Sequence, residues 1–328
     1  MIIAVTGSIA TDHLMTFNGR FSEQLLPDSL DKVSLSFLVE DLQIRRGGIG
    51  ANIAFGMACL GLSPALVGAV GDDFATYRSW LERHGVDTAS VLVSDLHHTA
   101  RFICTTDAAQ NQIASFYSGA MSDARQIELR PVAQRLGGMD LVVVSPNDPD
   151  AMLRHSDECR SRDYPFVADP SQQLALMDGP DIRRLIDGAT YLFSNEYEAA
   201  LTEAKTGWSS DEILSRVRVR VTTLGPAGAR VDREGHASVR VGCPPEDRIA
   251  DPTGVGDAFR AGFLACVAWG LSLERAAQVG SMLATYVIET VGPQEYELSR
   301  SAFLGRFAAA YGPEATEDID AHLRCPRP

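Results

Sequence analysis

The sequence predicts an α/β fold: a central, mostly parallel sheet flanked by helices, with a small β-sheet lid outside it. Three observations carry this. Short apolar β-type runs alternate with helical patterns along most of the 328 residues, the order that builds a parallel sheet covered on both faces. Two segments, 13–45 and 99–117, interrupt the alternation with extended strands of their own. A hairpin and three helices close the chain.

Taken in order, the runs 2–6, 65–70, 141–145, 166–168, 191–194 and 217–223 have the apolar, β-branched content of buried strands. Helical patterns over 52–60, 75–84, 149–160 and 196–203 lie between them. A hairpin (228–232 with 237–241) and helices near 256–269, 273–290 and 299–311 follow. The lid is expected from an extended stretch at 33–44 and a hairpin at 101–117. The chain thus divides into a core of 1–12, 46–98 and 118–328 and a lid of 13–45 and 99–117. The acidic tail from Gly312 to Pro328 reads as peripheral. In such folds ligands sit at the C-terminal ends of the strands.

Composition narrows the function. A formal net charge of -14 repels nucleic acid and anionic membranes, so neither is an expected partner. It repels ATP as well, so any phosphate site must be made locally positive by backbone amides, Arg or a metal. The N-terminus lacks a basic leader region, and no run reaches the roughly 20 apolar residues of a membrane span. The six cysteines are scattered, with no C-x-x-C pair, and read as reduced thiols of a cytoplasmic protein. The only lysines, Lys32 and Lys205, lie in neither a Walker A loop nor a protein-kinase V-A-I-K strand.

The chemistry concentrates in Asp251-Pro-Thr-Gly-Val-Gly-Asp257-Ala-Phe-Arg-Ala-Gly-Phe263. Gly254 and Gly256 permit a tight turn, and an apolar helix follows at once. Successive free N–H groups at a helix start hold anions. Asp257 stands at that start, where a carboxylate can hold an attacking hydroxyl and accept its proton. Each element alone has a plainer reading. Asp257 could simply offset the helix dipole. Asp12 could form a turn, and Gly47-Gly48 another before a helix. Asn195 with Glu198 three residues on is a capping-box pattern. The loop from Thr223 to Gly228 could be an ordinary hairpin turn, and Phe102 and Phe116 could be strand core.

Together they point elsewhere. The string ending at Phe263 resembles the second signature of the ribokinase-like (PfkB) carbohydrate kinases, with Pro252 and Val255 where the commoner form has Thr and Ala. Arg46-Gly-Gly-Ile-Gly-Ala-Asn52-Ile-Ala resembles the first signature, and Val5-Thr-Gly-Ser-Ile-Ala-Thr-Asp12 the opening strand and turn. The resemblance implies ATP-dependent transfer of phosphate to an alcohol group. By motif, Asp257 would be the base, and Gly254, Val255 and Gly256 the anion hole. Gly48 and Asn52 would face the sugar, while Asp12, with Ser8 nearby, would grip two vicinal hydroxyls. Asn195 and Glu198 match an N-x-x-E element that organises magnesium and phosphate, Glu198 through metal-bound water. Thr223, Gly225 and Gly228 would form the nucleotide loop beside Gly256. Potassium, held by backbone carbonyls, is a further expected activator.

Three segments, the opening turn, 19–27 and 169–174, are similar to the adenosine-phosphorylating branch of mycobacterial type. That likeness implies adenosine as acceptor and a homodimer formed through the lid. Phe102 and Phe116 would then clamp the purine, with Gln172 and Gln173 completing the nucleoside site. The signatures themselves report only a hydroxylated acceptor, so a ribokinase- or fructokinase-like sugar kinase stays open. So does a non-catalytic nucleoside-binding regulator, although the intact Asp257 and its glycines speak against it.

Overall fold

The computed structural model describes residues 1–24 and 35–325. The chain opens on β1 (Ile3–Thr6) and enters the lid with β2 (Ala10–Phe17), the short α1 (Phe21–Gln24) and β3 (Asp41–Gly47). Helix α2 (Ile49–Cys59) returns to the core, followed by β4 (Ala65–Val67), β5 (Ala69–Val70), α3 (Ala75–Arg83) and β6 (Leu92–Val93). The hairpin of β7 (Ala100–Asp107) and β8 (Gln112–Tyr117) completes the lid. The alternation resumes with α4 (Leu129–Leu136), β9 (Leu141–Val144), α5 (Pro149–Ser161), β10 (Phe166–Ala168) and α6 (Gly179–Ile186). It continues through β11 (Tyr191–Asn195), α7 (Glu196–Thr206), α8 (Ser210–Arg216) and β12 (Val219–Thr223). The hairpin β13 (Ala229–Asp232) and β14 (Val239–Val241) leads to α9 (Val255–Ala268), α10 (Leu273–Ile288), α11 (Arg300–Tyr311) and α12 (Pro313–Asp320).

The main sheet has eight strands in the order β14-β13-β12-β11-β10-β9-β1-β4. The run from β12 to β4 is parallel, and the closing hairpin is antiparallel. Successive side chains of a strand enter opposite layers: Leu141 and Val143 join one apolar cluster, Val142 and Val144 the other. Burial on both faces explains why these strands read as continuous apolar runs rather than alternating ones. Helices α2, α9, α10 and α11 cover the first face, and α4, α5 and α6 the second. From β1 the chain goes first to β4 on one side and later to β9 on the other. That reversal opens a crevice beyond the C-terminal ends of β1 and β9, where ligands bind in open α/β sheets.

The lid is a separate four-stranded sheet, β3-β2-β7-β8, parallel only between β2 and β7. One cross-strand row sets Arg45 opposite Asp12, Asp12 opposite Phe102 and Phe102 opposite Phe116. Residues opposed in register share a face, so these four side chains lie together.

Two expectations need correction. The lid strand expected over 33–44 begins only at Asp41, as β3; residues 35–40 form no strand, and 33 and 34 lie outside the described residues. The ladder runs from the Ala10–Gly47 pair outward, so pairing rather than local hydrophobicity sets the lid's edges at 10 and 47. The described part of the tail, 312–325, is also not peripheral. Ala315, Ile319 and Leu323 are buried in the same cluster as Phe303 and Phe307. They form an i, i+4, i+8 stripe behind an acidic outer face, and that face hid the stripe in the sequence.

Candidate active site

Two cavities meet at the start of α9. The first, of about 700 Å³, lies under the lid. It is lined by Ser8, Asp12, Gly48, Asn52, Phe102, Phe116, Gln172 and Gln173, together with Gly254 and Asp257. The second, of about 570 Å³, lies between the β12–β13 loop and α10. Asn195, Thr223, Gly225 and Gly228 line it with Val255 and Gly256. One turn of backbone therefore separates the two. That turn needs Gly254, whose φ is 78° and where a Cβ would fall 2.4 Å from the Pro293 side chain. The N–H groups of the first turn of α9 have no intrahelical partner, so an anion lodged between the cavities would meet them.

Asp257 is buried, at 9% exposure. Asn52 Nδ2 donates to its Oδ2 at 2.8 Å. Asn52 Oδ1 in turn accepts from Gln294 Nε2 at 2.8 Å, and the same Gln294 nitrogen donates to the Tyr77 hydroxyl at 2.5 Å. Tyr77 donates onward to the Gly47 carbonyl at 2.9 Å. This chain fixes which end of the Asn52 amide faces the carboxylate. Burial pushes the Asp257 carboxyl up to about 6, against the pull of Arg260 and the Asn52 hydrogen bond. A base with that affinity is ionised at neutral pH yet holds a proton better than a free carboxylate.

At the lid end, burial and the neighbouring Asp251 raise the Asp12 carboxyl to about 6, while Arg45 opposes the shift. Gly47 leaves room for it: a Cβ there would lie 3.0 Å from Asp12 Oδ2. Ser8 is occupied otherwise, its Oγ accepting from the Ile49 amide at 3.0 Å at the start of α2. Phe116 is 54% exposed and Phe102 half-buried, and both rings line the first cavity. Gln173 Nε2 donates to the Asn147 carbonyl at 2.6 Å, and its buried Oε1 has no partner. Gln172 is exposed at the cavity edge.

Asn195 and Glu198 form both halves of a capping box on α7. The Asn195 side chain accepts from the Glu198 amide, and Glu198 Oε2 accepts from the Asn195 amide at 2.8 Å. Burial raises the Glu198 carboxyl, opposed by that hydrogen bond and by Arg260. One carboxylate oxygen is thus committed, which leaves the other for a metal-bound water. Glu198 lines neither cavity. The only metal-like cluster among the described residues, Asp72, Asp73 and His98, also lies outside both.

The family model of pfkB family carbohydrate kinases matches residues 8–299. This chain belongs to the pfkB family. Structures of the nucleoside kinase of Burkholderia thailandensis, in complex with inosine and with ADP-inosine, superpose with TM-scores of 0.82 and 0.80. They are 35% and 36% identical, cover 95% of this chain, and are themselves covered to 98% and 96%. A nucleoside kinase of Methanothermobacter thermautotrophicus is 29% identical over 300 residues, 88% of this chain and 92% of that protein. A ribokinase of Bacillus subtilis is 27% identical over 297 residues, covering 89% and 94%.

As a pfkB-family kinase the chain is an ATP-dependent phosphotransferase with an alcohol acceptor. No helix of the described residues is long and apolar enough to cross a membrane. Sequence reasoning missed several residues at the site. Pro146 and Asp148, which line the first cavity, follow β9 and could have been found from the strand-end rule. Gln294 and Tyr77 carried no local signal, because their value lies in contacts with residues more than two hundred positions away or in another motif.

Proposed function

We propose that this kinase transfers the γ-phosphate of ATP to the ribose 5'-hydroxyl of adenosine. The observation that carries the reading is the junction itself: Asp257 and Gly254 line one cavity, Val255 and Gly256 the other. ATP in the second cavity would place its terminal phosphate at the first-turn amides of α9. An acceptor hydroxyl beside Asp257 would then attack in line, giving its proton to the carboxylate. Phosphoryl transfer asks for little more than this alignment and charge neutralisation. Magnesium, when bound with ATP, would supply further charge neutralisation, held by phosphate oxygens and, through water, by Glu198.

Several features support a nucleoside over a free sugar. Asp12 and Asn52 suit the ribose, while Phe102 and Phe116 offer rings to a base that a sugar lacks. Relatives that cover 88% to 95% of the chain include nucleoside kinases, one of them seen with inosine. Between the two purines, Gln173 favours adenosine. Its Nε2 is held by a backbone carbonyl, so it presents the free Oε1. A buried acceptor suits the adenine amino group and opposes the keto oxygen of inosine. The exposed apolar side chains on the other face of the lid support a homodimer.

The test is an ADP-release assay over adenosine, inosine, guanosine, ribose and fructose. The reading requires adenosine to give the highest kcat/KM. Preference for inosine would keep the nucleoside kinase and reverse the assignment of Gln173. Preference for ribose or fructose would sink the nucleoside reading.

A further inference from the structure

Helix α9 is apolar through its buried length except at Asp257 and at Arg260, the latter only 6% exposed. Removing such a charge from water is costly, so what the guanidinium holds is informative. Its Nε meets Asp169 Oδ2 at 2.5 Å and its Nη2 donates to Asp169 Oδ1 at 2.7 Å. Nη2 also reaches Ser171 Oγ at 3.0 Å, and Nη1 donates to the Gly256 carbonyl at 3.0 Å. The plane lies over the Phe193 ring, 5.8 Å from its centre. A Cβ on Gly256 would stand 2.9 Å from Nη1, so the contact also needs that glycine.

These partners belong to different parts of the site. Gly256 is in the turn between the two cavities. Asp169 and Ser171 follow β10 and begin the tight turn Ser171–Ala175 that carries Gln172 and Gln173. Ser171 has a φ of 41°, a left-handed conformation that a serine holds only when its surroundings fix it. Its hydroxyl is bound to both Asp169 and Arg260. Fold stability alone does not call for the ion pair: well-packed apolar replacements of buried pairs are often neutral or stabilising.

We propose that Arg260 is a positioning residue for phosphoryl transfer, locking the acceptor-side turn Ser171–Ala175 to the anion-binding turn of α9. Two groups that must meet in the transition state are thereby held by one rigid fork. This role rests on the phosphotransfer reading of Asp257 and α9.

The experiment compares the full-length enzyme with Asp257→Asn, Arg260→Lys and the double variant Arg260→Met/Asp169→Leu, each assayed beside a thermal melt. The double variant removes both buried charges at similar volume, so its melting temperature should match or exceed that of the parent. Its kcat should nevertheless fall roughly 10- to 100-fold, the scale of a small misplacement of reacting groups, with KM for ATP within about threefold. Arg260→Lys keeps the charge without the fork, and kcat should fall there too with the melt nearly unchanged. Parental kcat in a folded double variant would overturn the positioning role, and so would parental kcat in Arg260→Lys should the double variant not fold. Full activity of Asp257→Asn would instead remove the phosphotransfer reading itself, which separates the two failures.

Discussion

Asn52 Nδ2 donates to Asp257 Oδ2 at 2.8 Å, joining residues 205 positions apart. The two motifs that drew attention in the sequence therefore meet in one buried hydrogen bond. If Asp257 takes the hydroxyl proton, Asp257→Asn should lower kcat by roughly two to four orders of magnitude, the scale of losing a general base. Acceptor binding should change by less than about tenfold, because this carboxylate acts mainly in the transition state. Steady-state kinetics with equilibrium binding checks both, and near-parental turnover would refute the assignment.

Burial of the same carboxylate sets a pH dependence, which the bond opposes. Asp257 is raised to about 6, and only its ionised form accepts a proton. The kcat/KM profile should fall as pH drops through about 6. Asn52 stabilises the charged form, so Asn52→Leu should move that limb to higher pH. A limb that stays in place or moves lower would show that the profile reports another group.

Phe102 separates the nucleoside and sugar readings. Stacking on a base is worth about 1–3 kcal/mol, so Phe102→Ala should weaken adenosine use by roughly 5- to 150-fold. Weak activity on ribose should barely change. If the ring were core instead, activity on every acceptor and the melting temperature would fall together, with about 3–5 kcal/mol of stability lost.

The lid's outer face suggests assembly. Leu42, Ile44, Ile113 and Tyr117 are exposed and alternate with the row that faces the cavity. Light scattering at micromolar concentration should find a dimer, and Ile44→Asp should shift it toward monomer. A monomeric parent would exclude the lid interface.

Asp12 should cost the unliganded enzyme stability. Its carboxyl rises from 3.8 to about 6 on folding, so the folded state prefers it protonated, and stability is lost as pH rises through that range. Asp12→Asn should raise the melting temperature at pH 8, and the gain should shrink as pH falls from about 6 to about 4. A gain that persists at low pH would point to packing rather than charge.

What the sequence made legible follows from how local each signal was. The parallel core was readable because strands buried on both faces are apolar throughout, as from Leu141 to Val144. The turn that opens α9 was readable because Gly254, Gly256 and Asp257 fall within four consecutive residues. Asn195 and Glu198 were readable as a cap, and the cap formed. The rest depends on distant partners. The start of β3 at Asp41 is fixed by pairing with β2, the burial of α12 by a stripe of three residues among acids, and the places of Gln294 and Arg260 by contacts made only after folding.

The row of Asp12, Phe102 and Phe116 has a consequence for redesign. Both rings lie on one uninterrupted hairpin, from Ala100 to Tyr117, whereas Asp257 and its turn lie far along the chain. If the two rings hold the base, that part of acceptor recognition forms a cassette: a hairpin of matching register, carrying other side chains on its inner face, would alter the base contact without touching the turn at Asp257.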